Sequence, residues 1–258
     1  MGGKGAAFDP DCRLCPRLAD FLDAVRRRHP QYHCRPVAPF GSARHRLLVV
    51  GLAPGLHGAN RTGRPFTGDH AGILLYRTLH AHGFASRPGS ISAGDGLRLV
   101  DCRISNAVKC LPPGNKPLPA EIRRCNVYLE RELAALPKGA VVVALGGIAH
   151  AAVLRASGLK PAGRAFAHGA LHALAADRRL LDSYHCSRLN TNTGRLTPAM
   201  QRVCAVMLTQ NLSEGSRLSG LHRSSVYEAL HRLRTQASEA GLREYVSTPR
   251  HFGSGAGT

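Results

Sequence analysis

The stretch from Leu47 to Gly72, LLVVGLAPGLHGANRTGRPFTGDHAG, constrains the fold of this chain more than any other part of the sequence. It starts with an apolar, β-branched run typical of a buried strand, and it continues into a long glycine-rich loop before a helical pattern resumes at Ile73. In open α/β sheets, such a loop at the carboxyl end of a strand is where ligands bind. An ordinary polar surface loop is the alternative interpretation. The loop carries an aromatic ring, a carboxylate, two histidines and two arginines: Phe66, Asp69, His57, His70, Arg61 and Arg64.

The charge of the chain indicates a polyanionic partner. Its 258 residues contain 35 lysines and arginines against 16 aspartates and glutamates, a formal net charge of +19. Long-range attraction and counterion release concentrate nucleic acid on such a surface, and the guanidinium fork of arginine suits phosphate well. Charge that serves only solubility, or that reflects a GC-rich codon bias, is the alternative. The length and the 43% hydrophobic content allow one large α/β domain or two small ones, each with a packed core.

Nothing in the sequence predicts a membrane segment or export. No run approaches the ~20 apolar residues that span a bilayer, and the N-terminus, MGGKGAAFDPDC, lacks the apolar core of a signal peptide. We therefore expect a cytoplasmic protein with no membrane partner. Because the cytoplasm is reducing, the eight cysteines of the chain need an explanation other than disulfides.

The order of strand and helix patterns predicts an α/β fold: a three-layer sandwich with a mainly parallel, four-stranded central sheet and helices on both faces. The apolar run at 140–146 is typical of a central parallel strand buried on both faces. Three strand ends should bring the loop at 51–72, Asn106 and His185 to one edge of the sheet. Strands are predicted at 45–51, 97–106, 140–146 and in two short segments within 165–185. Helices are predicted directly after Cys15, at 71–82, from Pro119, and at 147–157, 197–211 and 225–240.

Two pairs of cysteines stand out: Cys12 with Cys15 in a C-x2-C spacing, and Cys110 with Cys125. Four thiolates can hold either zinc or a [4Fe–4S] cluster, and the spacing alone does not separate the two. Reduced, buried cysteines without a metal are the alternative. The single cysteines in apolar surroundings fit that alternative, although Cys34 could replace a member of the four.

The loop resembles motif one of the family 5 uracil-DNA glycosylases, an iron–sulfur branch of the uracil-DNA glycosylase superfamily. Three further features match the same family: SNAVKCLPPGNKP (105–117), the two paired cysteine spacings, and HCSRLNTNTGRLT (185–197). Leu52 follows the first glycine of the loop, where the family 4 enzymes have glutamate, and this favours family 5. The resemblance implies a glycosylase-like domain over 1–211. It leaves 212–258 as a partly helical C-terminal extension with a disordered end.

By this resemblance the chain is a monofunctional DNA glycosylase that hydrolyses the N-glycosidic bond of uracil, with tolerance for other deaminated or damaged bases, and so begins base excision repair. Such an enzyme first rotates the nucleotide out of the duplex. The implied substrate pocket contains Gly51, Ala53, Phe66, which stacks on the base, and Asn106, which reads its O4/N3 edge. Core packing of the ring and a strand-end turn satisfied by the amide are the alternatives for the last two.

The resemblance assigns catalysis to Asp69 and His185. The carboxylate would stabilise positive charge on the sugar and position or activate water, and a neutral imidazole would donate a hydrogen bond to the base oxygen O2. From the residues alone, Asp69 could equally be the N-cap of the helix that follows it. The two roles are compatible.

The third motif also implies contacts with DNA. Leu189 occupies the place of a leucine wedge that fills the gap left by the flipped base, and Arg188, Asn190 and Arg195 are candidates for phosphate or opposite-strand contacts. Cys186 stands where the family usually has proline after the histidine. This departure puts the stiffness of the motif in doubt but not its chemistry.

The same resemblance implies a [4Fe–4S] cluster held by four cysteines: Cys12, Cys15, Cys110 and Cys125. Its expected role is structural, because it would tie the N-terminal segment to the proline-rich turn and place Lys109 and Lys116 beside the DNA. We expect a monomer in the bacterial cytoplasm, associated with the nucleoid, with damaged DNA as its partner. A non-catalytic iron–sulfur DNA-binding protein of the same fold and a zinc-binding scaffold are the competing hypotheses.

Overall fold

A six-stranded sheet runs through the part of the chain that the computed structural model describes, residues 8–196. Its strands are β1 (Phe40–Gly41), β2 (Leu47–Gly51), β3 (Cys102–Asn106), β4 (Val141–Leu145), β5 (Leu171–Ala173) and β6 (Arg179–Ser183). Their spatial order is β1-β3-β2-β4-β6-β5. The four inner strands are parallel, as predicted, and the two short outer strands run antiparallel to their neighbours. The predicted count of four strands is therefore corrected to six, because a short antiparallel segment covers each edge.

The described residues also form six α-helices: α1 (Pro16–Arg28), α2 (Ala59–Thr62), α3 (His70–Ala81), α4 (Pro119–Ala134), α5 (Gly147–Ala156) and α6 (Arg188–Asn192). The four longer helices lie where the sequence predicts them. The inward face predicted for α4 is confirmed, since Cys125, Leu129 and Leu133 are buried. The predicted proline-rich turn contains a single 3-10 turn at Pro113–Asn115.

Helices cover both faces of the sheet, which confirms the three-layer sandwich. Successive residues of β2 point to opposite faces: Leu47 and Val49 join the core under α3, whereas Leu48 and Val50 join the core under α4 and α5. All five residues of β2 are buried, as expected for a strand between two parallel neighbours. Burying each such aliphatic side chain contributes about 1.5–3 kcal/mol.

The second predicted strand is shorter than expected. It starts at Cys102 rather than at 97, because the chain turns at Asp101, which has a φ of 49°. The Asp101 carboxylate accepts hydrogen bonds from the backbone N–H of Arg46 at 2.8 Å and from its guanidinium at 2.6 Å. Upstream of this turn, Leu99 forms only an isolated antiparallel bridge with Ala85. Its apolar side chain is buried without extending the strand.

The helices predicted at 197–211 and 225–240, and the extension at 212–258, lie outside the described residues. Within residues 8–196, no helix combines the length and the apolar character needed to cross a lipid bilayer.

Candidate active site

The carboxyl ends of the parallel strands meet at one edge of the sheet, and this edge carries the predicted site. Gly51 and Asn106 are the last residues of β2 and β3 and are paired in register. Strand β6 ends at Ser183, two residues before His185. The loop that follows β2 leads into α3 at the same edge. The fold therefore brings three distant segments of the chain together.

Asp69 lies where this loop enters α3. Its Oδ1 accepts a hydrogen bond from the backbone N–H of Gly72 at 3.0 Å, so Asp69 is the N-cap of the helix, as one of the two interpretations predicted. The second oxygen, Oδ2, faces Gly58, where an added Cβ atom would stand 2.4 Å from it. Because residue 58 is a glycine, no side chain there collides with the carboxylate of Asp69. One oxygen of Asp69 thus fixes the helix, and the other faces the loop.

Phe66 is held in a backbone conformation that residues other than glycine rarely adopt, with a φ of 53°. Such a conformation costs about 1–3 kcal/mol, and the surrounding contacts must offset that strain. One of them is a hydrogen bond of 2.8 Å from the hydroxyl of Tyr76 to the carbonyl oxygen of Pro65. The Phe66 ring is 6% exposed, and its centroid lies 5.7 Å from that of the His185 ring, with a tilt of 33°. The ring therefore belongs to the core under α3 and at the same time lies next to His185.

Arg64 ties the same loop to the segment before β3. Its guanidinium donates to the carboxylate of Asp95 at 2.6 Å and to the hydroxyl of Ser90 at 2.9 Å, and it lies over the ring of Phe40 at 4.2 Å. Burial raises the pKa of Asp95, but hydrogen bonds from Arg64 and from three backbone N–H groups outweigh burial and lower it. Both charges are largely buried, which makes this pair part of the framework that positions Phe66.

The side chain of Asn106 packs closely against Gly51, together with the ring of Phe66. A Cβ atom on Gly51 would stand 2.5 Å from Oδ1 of Asn106 and 2.6 Å from Cζ of Phe66. The amide of Asn106 and the ring of Phe66 therefore meet at Gly51, where only a glycine fits. Among the described residues, the side-chain amide of Asn106 has no protein hydrogen-bond partner. An unpaired amide at a site edge can recognise the edge of a ligand.

Lys109 is not at the surface, which corrects the prediction that it lies beside the DNA. The residue is 1% exposed, and its Nζ lies 2.6 Å from the carboxylate of Glu132 and 2.9 Å from the carbonyl oxygen of Asn106. It also donates to the hydroxyl of Ser105. A buried ammonium must be paired, and here the pairing supports the backbone of Asn106. Lys116 is exposed, as expected.

His185 is half-buried at the same edge. Burial lowers the pKa of its imidazole below the usual value, and the negative charge of Asp69 partly opposes that shift. The imidazole is therefore neutral at neutral pH, which is the form that the predicted hydrogen-bond donor requires. The carbonyl oxygen of His185 accepts a hydrogen bond of 2.8 Å from the side-chain amide of Asn190. This bond fixes the backbone from which the imidazole extends.

The predicted DNA-contact residues lie on or beside α6. Leu189 is 69% exposed, and Arg188 and Arg195 are also exposed, so all three can reach a partner. Asn190 differs, because it is half-buried and its amide is committed to His185. The sequence pattern missed this positioning contact, since α6 has only five residues and shows no apolar stripe.

Three other loop residues lie further from the convergence of Asp69, Asn106 and His185. Ala53, predicted to bind substrate, is half-buried and packs toward α1 and the cysteines. Asn60 is completely buried and donates to the sulfur of Cys34 at 3.6 Å. His57 is exposed, and its Nδ1 lies 3.0 Å from the hydroxyl of Tyr32.

A second feature of the described chain is a cavity between α1, α4 and the segment after β3. Its lining includes apolar side chains such as Leu18 and Val108. The four cysteines of the predicted set also line it: Cys12, Cys15, Cys110 and Cys125. Cys34 is not part of this lining. Its sulfur instead accepts a hydrogen bond from the side-chain amide of Asn60. The structure thus brings together the four cysteines that the sequence predicted, although Cys15 and Cys110 are 95 positions apart along the chain.

Polar contacts brace this cavity from outside. Arg17 in α1 forms a paired hydrogen bond with the carboxylate of Glu121 in α4, at 2.8 and 2.7 Å. The backbone N–H of Lys109 donates to the sulfur of Cys125 at 3.3 Å. Burial raises the pKa of the Cys110 thiol to about 12 and that of the Cys125 thiol to about 11. An all-sulfur donor set in a buried pocket suits a soft metal centre.

The edge of the sheet and the cysteine cavity together define a class of protein. An aromatic ring, an amide, a carboxylate and a neutral imidazole lie next to one another along this edge, beside a loop rich in glycine. Such a set can hold a planar heterocycle by its face and edge while charge separates across a bond to it. The sequence profile described as the Uracil DNA glycosylase superfamily matches residues 38–208 of the chain.

Individual relatives narrow this class. A type-5 uracil-DNA glycosylase of Thermus thermophilus is 48% identical over 215 residues, which cover 81% of this chain and 94% of that protein. A type-5 uracil-DNA glycosylase of Mycobacterium leprae is 47% identical over 197 residues, 73% of this chain and 86% of that protein. A type-4 uracil-DNA glycosylase of Archaeoglobus fulgidus is 37% identical over only 110 residues, 42% of this chain and 47% of that protein. The chain therefore belongs to the type-5 uracil-DNA glycosylases.

Proposed function

We propose that this chain removes uracil from DNA by hydrolysing the N-glycosidic bond, which leaves an abasic site and begins base excision repair. The observation that supports this proposal is that Asp69, Phe66, Asn106 and His185, from three distant segments, lie next to one another at the carboxyl edge of the sheet. The formal charge of +19 supports a DNA partner, because it attracts the phosphate backbone regardless of sequence.

Recognition uses the face and the edge of the extruded base. Phe66 stacks on the pyrimidine, and the amide of Asn106 offers both a donor and an acceptor to the O4/N3 edge of uracil. Cytosine presents the opposite polarity at this edge and is rejected. Gly51 lies at the approach of the base, whereas Ala53 packs toward α1 and supports the loop from behind. Tolerance for other deaminated or damaged bases is part of the proposal.

Cleavage divides the developing charges between two side chains. Positive charge builds on the sugar, where the carboxylate of Asp69 stabilises it and orients the attacking water. Negative charge builds on O2 of the departing base, where the neutral imidazole of His185 donates a hydrogen bond. The lowered pKa of His185 supports this role, because the ring carries one proton to share and no full charge.

The surface beside the pocket holds the DNA. Leu189, at 69% exposure, fills the gap that the flipped nucleotide leaves in the stack, and Arg188 and Arg195 contact phosphates or the opposite strand. Asn190 serves this surface indirectly, by fixing the backbone of His185.

We further propose that the four cysteines of the cavity hold a [4Fe–4S] cluster, which when bound supplies a structural cross-link between the N-terminal segment and α4. The four cysteines in the lining support this assignment, because they supply four sulfur ligands.

The activity is tested with a labelled duplex that contains one deoxyuridine. The full-length chain should convert this strand to alkali-sensitive abasic sites and should leave a matched thymidine duplex intact. DNA binding without abasic sites would favour the alternative, a non-catalytic iron–sulfur DNA-binding protein. Duplexes that carry other damaged bases then establish the substrate range.

The cluster is tested on the same preparation by metal analysis and absorption. Four iron atoms per chain and a broad absorption band in the blue part of the visible spectrum would support the cluster. One zinc ion per chain without that absorption band would contradict it. Cys34→Ser is a matched control for Cys110→Ser, because Cys34 lies outside the cavity lining. Only the second substitution should abolish the band.

The proposal also covers the oligomeric state of the protein and its location in the cell. We propose that the chain acts as a monomer at the bacterial nucleoid, in the cytoplasm. Its strongly basic sequence supports residence on DNA. Light scattering in the absence of DNA tests the monomer.

A further inference from the structure

A second group of ionisable side chains lies on and beside β6, the strand that leads to His185. Asp182 in β6 is fully buried, and each of its carboxylate oxygens contacts a histidine ring. Oδ1 lies 2.8 Å from Nδ1 of His150 in α5, and Oδ2 lies 3.0 Å from Nε2 of His172 in β5. One ligand-type atom from each of the three residues falls within 4.8 Å of the others. The proposed glycosylase chemistry uses none of them.

The hydrogen bonds of His150 imply that a proton or a metal ion lies between His150 and Asp182. Its Nε2 lies 2.9 Å from the carbonyl oxygen of Arg164, an atom that can only accept, so Nε2 carries the proton. A neutral His150 then turns the lone pair of Nδ1 toward the carboxylate of Asp182, which also can only accept. Two acceptors 2.8 Å apart are held together only when a proton or a metal ion lies between them. The bridging group is a second proton on the imidazole, a proton on the Asp182 carboxyl group, or a metal ion.

We propose that these three side chains form a site for a divalent transition-metal ion such as Zn²⁺. Its ligands are Nδ1 of His150, Nε2 of His172 and a carboxylate oxygen of Asp182. A metal ion offsets the charge of a carboxylate that is fully removed from solvent and satisfies both rings at once, whereas a proton on His150 serves one contact. Two imidazoles and a carboxylate are a donor set that zinc uses, with a fourth position left for water.

The surroundings fit such a site. Tetrahedral ligands at about 2.0–2.1 Å from zinc lie about 3.3–3.4 Å apart. The two nitrogen–oxygen contacts of 2.8 and 3.0 Å would have to open by about half an ångström, and the other ligand atoms already lie within 4.8 Å of one another. The carbonyl of Arg164 fixes the His150 ring from its other nitrogen, as an outer hydrogen bond does for most metal-bound histidines. The side chain of His172 is 12% exposed, and β5 is an edge strand, which gives the ion a path from solvent.

The ion would join three elements that otherwise meet at the edge of the sheet: α5, β5 and β6. Because β6 leads directly to His185, the expected consequence is a more stable wall behind the active site. The role is structural, and no step of base excision passes through the ion.

Zinc binding by the purified full-length chain tests the proposal. The chain, with its own iron retained, is treated with a chelator and titrated with Zn²⁺ in a calorimeter. One site per chain is expected. At a hundredfold excess over the dissociation constant, the melting temperature should rise by about 5–10 °C. His172→Gln keeps a polar group beside Asp182 but is a poor zinc ligand, so it should weaken binding about a hundredfold or more.

His29→Gln is the matched control, because His29 lies at the end of α1 and outside the three-residue group. It should bind zinc as the wild-type chain does. No binding to the wild-type chain would overturn the proposal and leave a proton between His150 and Asp182. Equal binding to His172→Gln, or loss in His29→Gln, would also overturn it. X-ray absorption at the zinc edge of the wild-type chain needs no variant: nitrogen and oxygen ligands support the site, and sulfur ligands contradict it.

Discussion

Two substitutions of Asp69 separate its role in folding from its role in catalysis. One carboxylate oxygen caps α3 through the N–H of Gly72, and the other faces the glycine-rich loop. Asparagine keeps an oxygen for the cap but has no negative charge, whereas alanine removes both. Comparing Asp69→Asn with Asp69→Ala therefore tests each function by itself.

The expected magnitudes differ for the two variants. Asparagine caps helices about as well as aspartate, so the stability of Asp69→Asn should stay within about 0.5 kcal/mol of the wild type. Alanine loses the cap and should cost about 1 kcal/mol, which lowers the melting temperature of a chain of this size by about 2–4 °C. Both variants lose the charge opposite the developing sugar cation. Each should slow excision by about 10²–10³-fold or more.

The assay is single-turnover excision with enzyme in excess over a deoxyuridine duplex, followed by alkali. Thermal unfolding and DNA binding are measured on the same preparations. Both variants should bind DNA nearly as the wild type does, since Asp69 makes none of the proposed phosphate contacts. Excision at the wild-type rate by Asp69→Asn would refute the catalytic role of the charge. Equal melting temperatures for the wild type and Asp69→Ala would refute the cap.

Three further predictions follow from the site. Gly51→Ala should fold but lose most excision, because the added methyl group would stand 2.5 Å from Oδ1 of Asn106; a wild-type rate would contradict the close packing at Gly51. Lys109→Met should destabilise the chain by about 3–5 kcal/mol in denaturant unfolding, because it leaves Glu132 buried and unpaired, and adding Glu132→Gln should restore much of that loss. The single-turnover rate should not fall as the pH rises from about 6.5 to 8.5, because the pKa of His185 is lowered and the ring is already neutral there. A titration above about pH 7 that His185→Gln abolishes would contradict this assignment.

Much of the fold could be predicted from the sequence because its main signals are local. The buried runs of β2 and β4 and the apolar stripe of α4 appear as patterns in consecutive residues. The edge strand β1 has only two residues, too few for any periodicity to show, whereas the edge strand β5 lies in one of the two short segments predicted within 165–185. The shortened β3 depends on Asp101, whose turn is stabilised by Arg46, 55 residues earlier. Such a contact has no local signature.

The candidate site was likewise predictable from the sequence only in part. Its main side chains follow strand ends and lie within recognisable motifs, so their convergence could be expected from a parallel sheet. The supporting contacts could not. Lysine is usually exposed, and the burial of Lys109 depends on Glu132, 23 residues away on α4. The commitment of Asn190 to the backbone of His185 depends on the short helix α6.

The central claim is that one pocket holds an extruded uracil among side chains from three distant segments. A structure of the Asp69→Asn variant bound to a duplex with a single deoxyuridine tests it most directly. The account predicts the uracil outside the helix, stacked on Phe66, with its O4/N3 edge on the amide of Asn106 and its O2 beside His185. A uracil that stays in the duplex, or that binds away from these side chains, would contradict it.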